Sequence, residues 1–405
     1  MNNILYISLT GMTEPLGRSQ VLEYLIDLSQ DNRFYLISFE RETDIKNIDE
    51  IRELVKKYNI EWHYLIYSNK YGVFSTIIQI FQVLKIASKF IKKHTIAVVH
   101  ARSMIPATIG IILSKLYRVK LLFDIRGFAI DEKLDSGRLE KESFLYKILK
   151  RLDNRLYEKS EHIVTLTYKA KEILEGNLNI DRDKITVIPT CANGEVFKPL
   201  SEIEKIEFKQ SLGYDKRDKI IIHTGTVSGW YDFDKELKLI EELIKQDSSI
   251  NFLILNKNEH FFIEKSLEKY NIPQKNTKII SSSFQNVYKY LNIADVSIFF
   301  IKPSFSKQAS APTKFAENIA CYLPSITNSG VGDMEFYMNR YDVGYIIELD
   351  TLNSSISTIA KDIINKIQKE INRDEYNQLF SQYFDKKIAV EKYNNIYKLL
   401  NGKKS

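Results

Sequence analysis

Two cysteines in 405 residues, Cys191 and Cys321, form neither a CxxC pair nor a disulfide framework, which fits a reducing compartment. The sequence also lacks HExxH, a Walker A loop, GxSxG and GxGxxG. Those absences argue against zinc hydrolases, P-loop enzymes, serine hydrolases and dinucleotide-dependent oxidoreductases. No DxD stands in a loop suited to chelating a metal; the nearest, Asp232-Phe-Asp234, opens a helix. No basic tract is interleaved with aromatics, so no nucleic-acid partner is expected. The first residues, MNNILYISLT, carry no basic region ahead of a long apolar run, so no signal peptide is expected. No run of about 18 apolar residues is seen, which predicts no membrane span and a cytosolic protein.

What is present describes a globular chain: 44% of residues are hydrophobic and 27% charged. Its length predicts two domains. A net charge of +6 fits an anionic ligand or membrane surface, but is also common without either. Short apolar runs alternate with helical stretches. The first series is Ile4–Leu9, Phe34–Phe39, Trp62–Tyr67, Ile96–His100, Lys120–Ile125, His162–Leu166 and Ile185–Ile188. The second is Lys219–His223, Asn251–Asn256, Lys278–Ser281, Val296–Ile301, Ser325–Thr327 and Val343–Ile347. This is the pattern of parallel sheets covered on both faces, and it predicts an α/β protein of two doubly wound, Rossmann-like domains. The domains are read as 1–195 and 196–380, with a C-terminal helix over 381–405 free to cross back to the first.

In such sheets ligands bind beyond the C-terminal strand ends, so the loops there matter most. After the first strand, Gly11 and Gly17 precede Arg18 and a helix; either the backbone approaches a ligand or a turn needs glycine. His100 and Arg102 follow the fourth strand, and Arg126 the fifth, with Asp131, Glu132 and Asp135 close behind. Arg126 suits a diphosphate, and Asp131 or Glu132 an acceptor hydroxyl. His100 equally suits a satisfied strand-end histidine, and the acidic trio a solvated loop. In the second half, Gly225, Thr226 and Gly229 lead to Trp230 and Tyr231, placed to stack on a ring or to wedge the domains.

The stretch from Lys302 to Asp333 carries the sharpest pattern. Pro312 marks a first helical turn, Ser310 a candidate cap, and Pro324 the end. Phe315, Ala316, Ile319, Ala320, Tyr322 and Leu323 share one half of the helical wheel. Thr313, Lys314, Glu317, Asn318 and Cys321 share the other. A lysine and a glutamate on one open face near free N–H groups suit a phosphate and a sugar hydroxyl; a simple i, i+3 pair is the alternative. The apolar stretch Phe74–Phe90 reads mainly as a sheet-covering crossover helix, with a membrane interface as the rival reading. The basic run Lys147–Lys159 reads as a solvated face.

With GMTEPLGRSQVLEYL, HARSMIPA, LLFDIRGF, VIPTCANGEVF, HTGTVSGWY and SAPTKFAENIACYLPSITNSGVGD in this order, the chain resembles the retaining family 4 glycosyltransferases of the GT-B fold, in particular the bacterial cell-surface polysaccharide subgroup with an SPTKFAE-type motif. The resemblance implies two Rossmann-like domains across a cleft, with the nucleotide sugar mainly on the second and the acceptor on the first. It implies transfer of a hexose to a glycan or polyprenyl-linked acceptor in capsule, O-antigen or exopolysaccharide biosynthesis. A cytoplasmic enzyme follows, with peripheral contact at the inner membrane left open. No metal and no cofactor are expected.

The family usually carries two glutamates separated by seven residues. Glu317 matches the second, a ribose contact, but Ala309 stands in place of the first. Lys307, Gln308 or the backbone at Ser310 must then meet the donor sugar. Arg126 stands where a histidine is often seen. The catalytic candidates are Arg126, Lys314 and Glu317. The donor candidates are Gly225, Thr226, Lys302, Lys307, Ser310, Thr313, Lys314 and Glu317. Gly11, Gly17, Arg18, His100, Arg102, Arg126 and Asp131 form the diphosphate and acceptor set. A nucleotide-sugar epimerase of the same fold, or a non-catalytic sugar-binding protein, are the alternatives.

Overall fold

Strands buried on both faces need near-continuous apolar sequence, and the central runs have it: ILYI of the first strand and NFLIL of the ninth leave almost nothing exposed. The computed structural model describes residues 1–402. Its first sheet holds β1 (Asn2–Ser8), β2 (Asn32–Glu40), β3 (Ile60–Ile66), β4 (Val98–Arg102), β5 (Lys120–Asp124), β6 (His162–Thr165) and β7 (Ile185–Val187) in the order β3-β2-β1-β4-β5-β6-β7. The second holds β8 (Lys219–Thr224), β9 (Ile250–Leu255), β10 (Thr277–Ile280), β11 (Val296–Ile298), β12 (Ser325–Asn328) and β13 (Gly344–Ile347) in the order β10-β9-β8-β11-β12-β13. All ladder pairs in both are parallel.

The order reverses between β1 and β4 in one sheet and between β8 and β11 in the other. Those are the switch points at which crossovers diverge and leave a crevice. Register then places particular residues side by side: Ser8 pairs with Arg102, and Arg102 with Asp124. β11 is shorter than the expected Val296–Ile301 because its backbone donors leave the ladder. Phe300 N bonds to Glu236 Oε1 at 2.8 Å and Ile301 N to Asn328 Oδ1 at 2.8 Å.

The chain divides into two units. One comprises Met1–Pro189, Gln308–Ser310 and the run from Lys386; the other comprises Thr190–Lys307 and Ala311–Asp385. Within the first, the helix Lys386–Leu400 buries Ala389, Tyr393, Ile396, Tyr397 and Leu400, and Lys386 Nζ lies 2.8 Å from Asp27 and 3.3 Å from Glu23.

The helix Val73–His94 corrects one expectation. An 18-residue window within its segment Phe74–His94 has a mean hydropathy of 1.3, so the helix is long and apolar enough to cross a membrane by length and composition. One side of it is nevertheless core, with Val83, Ala87, Phe90 and Ile91 packed on the sheet. It is the crossover from β3 to β4.

Candidate active site

In the second unit the helix Thr313–Ala320 starts at Pro312, and no side chain caps it, so the cap expected at Ser310 is absent. Ser310 lies in the first unit. The expected open polar face is also closed. Asn318 is fully buried and donates to Ser325 Oγ at 2.9 Å, and Lys314 is 7% exposed. The Lys314 ammonium sits 4.0 Å from the centroid of the Tyr231 ring and 5.5 Å from that of Phe299. Among the described residues it has no hydrogen-bond partner. A buried ammonium stabilised only by ring faces is short of acceptors, since each of its three donors was solvated in water.

Gly225 adjoins it. Its φ of +88° favours glycine, and a Cβ there would lie 3.9 Å from Lys314 Nζ. Thr226 follows, exposed, and Thr313 is half-buried at the helix start. One turn beyond Lys314, the half-buried Glu317 carboxyl is pushed up to about 8 by burial, against the pull of Lys314.

Trp230 and Tyr231 each lie over a lysine of their own unit: Lys307 Nζ is 3.8 Å from the Trp230 centroid, and Lys314 Nζ 4.0 Å from that of Tyr231. Lys302 is exposed and donates to Gly229 O at 3.2 Å, while its own N–H bonds to Trp230 O at 2.9 Å. It braces the glycine loop. The loop is held from β9 as well. Glu259 accepts Val227 N at 3.0 Å, Asn256 Nδ2 at 2.8 Å and the Ser228 hydroxyl. Burial disfavours its ionised form, yet the bonds from Ser228, Thr226, Val227 and Asn256 bring it down to about 2.

In the first unit the glycines serve the chain itself. A Cβ on Gly11 would lie 2.7 Å from Glu40 Oε2, and one on Gly17 would lie 1.8 Å from Gly11 O. The reading in which they admit a ligand gives way to close packing of backbone on backbone. Glu40 completes that turn by accepting Met12 N at 2.9 Å, Thr13 N at 3.0 Å and the Thr13 hydroxyl at 2.6 Å. Arg18 is drawn to the surface, 2.7 Å from Glu50.

Register gathers His100, Arg102 and Arg126 around fully buried Asp124. Each places a nitrogen 3.5 Å from its carboxylate. His100 is a buried structural histidine: its Nδ1 meets Tyr397 Oη at 2.6 Å and its ring centroid lies 4.2 Å from that of Tyr6. Burial keeps its basicity down despite Asp124. Burial also works against the Asp124 charge, but Arg126, His100 and Arg102 outweigh it and hold the carboxyl below its usual range. Two guanidiniums around one carboxylate leave a surplus positive charge, and Arg126 is the less buried of the two, its side chain 17% exposed against 5% for Arg102. Asp131 is not in a solvated loop. It is buried in the helix Ala129–Asp135, 2.6 Å from Lys150 Nζ.

Two domain-family matches follow the two sheets: Glycosyltransferase Family 4 over residues 33–195, and Glycosyl transferases group 1 over residues 204–381. The chain belongs to the family 4 glycosyltransferases, of the GT-B fold. This glycosyltransferase is 22% identical over 268 residues to the alpha-galactosylglucosyldiacylglycerol synthase of Streptococcus pneumoniae, across 63% of this chain and 68% of that one. Its fold is shared by a glycosyltransferase from Rickettsia africae, with a TM-score of 0.70, 17% identity and 98% of both chains covered. Anabaena HepE, solved in complex with UDP and glucose, has a TM-score of 0.68 and 14% identity over 98% of this chain and 99% of that one.

In the glycosyltransferase Ala309 is 1% exposed and packs in the first unit's core, so no acid is available there. Gln308 O accepts the Thr167 hydroxyl at 2.7 Å. Sequence reasoning missed Glu259, Asn256 and Glu236, which set the loop after β8. The signal for two of them was there: Asn256-Lys-Asn-Glu259 directly follows β9. A cavity of about 390 Å³, lined in part by Lys205, Lys209, Tyr345 and Lys366, lies at the N-terminal strand edge of the same unit, away from these loops.

Proposed function

We propose that this glycosyltransferase moves a hexose from a nucleoside diphosphate sugar to a lipid-linked glycan, with retained anomeric configuration, in the building of a bacterial cell-surface polysaccharide at the cytoplasmic face of the inner membrane. The Lys314 ammonium carries the reading. It is buried, without a hydrogen-bond partner, at an uncapped helix start beside a left-handed glycine. A diphosphate supplies the acceptors it is missing. The fold likeness to HepE, solved with UDP and glucose, supports the same donor class.

The bond from the anomeric carbon to the diphosphate oxygen breaks, and a bond from that carbon to the acceptor oxygen forms on the same face. The acceptor proton passes to the departing diphosphate, so no carboxylate nucleophile is called for. Lys314 and the N–H groups at Thr313 stabilise the departing charge in place before it develops, and no metal is invoked. Glu317 accepts from the ribose. In the first unit, the surplus charge carried by Arg126 is assigned to an anionic group of the substrate.

A thermal-shift series with UDP, GDP, ADP and CMP tests the donor. One of them is expected to raise the Tm of the wild type and to leave Lys314→Ala unmoved. No shift with any, or full turnover by Lys314→Ala, would overturn the assignment. An epimer formed from the nucleotide sugar alone would replace transfer by epimerisation.

A further inference from the structure

The crossover helix Val73–His94 keeps a second face that the core does not use. Phe74, Ile77, Ile78 and Phe81, spaced i, i+3, i+4 and i+7, form one stripe and are exposed, Phe74 by 73% and Phe81 by 67%. Further along the same helix come Lys85, Lys89, Lys92 and Lys93, all exposed, and the helix contains no Asp or Glu. Tyr67, Lys70 and Tyr71 stand exposed in the loop before it.

The helix Phe144–Lys159 repeats the plan. Phe144, Leu145 and Ile148 are exposed in its first turns, and Arg151, Arg155 and Lys159 after them; Glu140 and Glu142 just before the helix and Glu158 within it are exposed acids.

The topology joins these faces. The helices cross from β3 to β4 and from β5 to β6, both in the same direction along the sheet, so right-handed crossovers place them on one side of it. The helix Met104–Tyr117 lies between and touches both. Each runs back against the strands, so both apolar ends lie at the C-terminal strand edge, where Arg126 stands. The basic ends trail behind.

We infer that this paired surface of the first unit docks on an anionic lipid bilayer, with the apolar ends entering the headgroup–acyl boundary and the lysines and arginines meeting lipid phosphates. An amphipathic helix lying in a bilayer interface has the composition of Val73–His94: aromatic and aliphatic residues on one stretch, cations beside it and no acids among them; the second helix adds a further apolar end and a net excess of cations. A second copy of the chain fits less well. A two-fold contact brings the patch against itself, and the four lysines of the first helix would find no carboxylate on their own element. Spanning is excluded by the opposite side of that helix, which is sheet-packed core. The inference supplies the surface for the membrane-side acceptor proposed above, but its test needs neither donor nor acceptor, so the two readings fail separately.

Flotation of the full chain with phosphatidylcholine vesicles, with and without about 30% phosphatidylglycerol, reads it directly. Binding is expected to the anionic vesicles only and to weaken as salt screens the charges. The variant Phe74→Ser/Ile78→Ser/Phe81→Ser should lose at least about tenfold in vesicle partition, with Tm unchanged because those side chains are already in water. Lys85→Gln/Lys89→Gln/Lys92→Gln/Lys93→Gln should lose the preference for anionic lipid. Phe144→Ser/Ile148→Ser tests the second helix independently, should the first variant fold poorly. Absence of wild-type binding, equal binding to neutral vesicles, or undiminished binding by both apolar variants would overturn the inference. So would a change in oligomeric state on ultracentrifugation with vesicle binding intact, which would make the patch a contact between copies.

Discussion

The two units each bury charged groups, Asp124 at the end of β5 and Lys314 at the start of the helix Thr313–Ala320, and treat them in opposite ways. In the first, Asp124 stands among Arg102, Arg126, His100 and Tyr393, all within 3.5 Å, so a buried carboxylate is matched several times over. In the second, Lys314 is buried against ring faces and has no hydrogen-bond partner among the described residues. A satisfied cluster fixes strands, since removing one member strands the rest. An unsatisfied cation contributes little to folding and gains most when an anion arrives. Similar architecture thus supports a matched carboxylate in one unit and an open cation in the other.

The comparison breaks most readily at Asp124. Asp124→Asn leaves Arg102 and Arg126 without the carboxylate they share and should cost about 3–5 kcal/mol of stability, measured by denaturant unfolding. Lys314→Met, which keeps the packing under Tyr231, should lower turnover by about 10²–10³-fold while Tm without nucleotide holds or rises. If Lys314→Met destabilised the protein as much as Asp124→Asn, the contrast would fail.

The next test uses pH, because the two carboxyls are displaced in opposite directions. Asp124 is held below its ordinary 3.8, so its contribution is complete above that value and is lost as pH falls toward the folded one. Glu317 is raised from 4.5 to about 8, so the folded state binds the extra proton between them. Stability should therefore fall as pH rises through that window. Glu317→Gln should flatten this slope and raise the Tm of the second unit at pH above 8 by about 2–4 °C, the shift of one kcal/mol in a unit of roughly 200 residues. An unchanged slope would remove the buried-acid description of Glu317. The smallest effect belongs to Lys302→Ala. An exposed lysine reaching one carbonyl should change stability by no more than about 0.5 kcal/mol, and turnover little.

The strands were legible because burial on both faces leaves a signature in composition: thirteen apolar runs stand where thirteen strands form. The helix at 313 was legible from its wheel and its proline, but its environment was not. Lys314 reads as a solvent-facing lysine until Tyr231, more than eighty residues earlier, is laid over it. Gly11 and Gly17 illustrate the same limit. Glycine announces a close approach, but only the fold shows that the approaching atoms are Glu40 and the Gly11 carbonyl.

Sequence by itself determined the two parallel sheets, the loops that end at their switch points and the glycosyltransferase family, because alternating burial and a handful of loop motifs are local properties. Tertiary structure decided which charges are matched and which are left open. That depends on partners distant in the chain: Asp124 finds Tyr393, Lys314 finds Tyr231 and Gly225, and the exposed stripe of the Val73–His94 helix is what remains after Val83, Ala87 and Phe90 have taken the sheet.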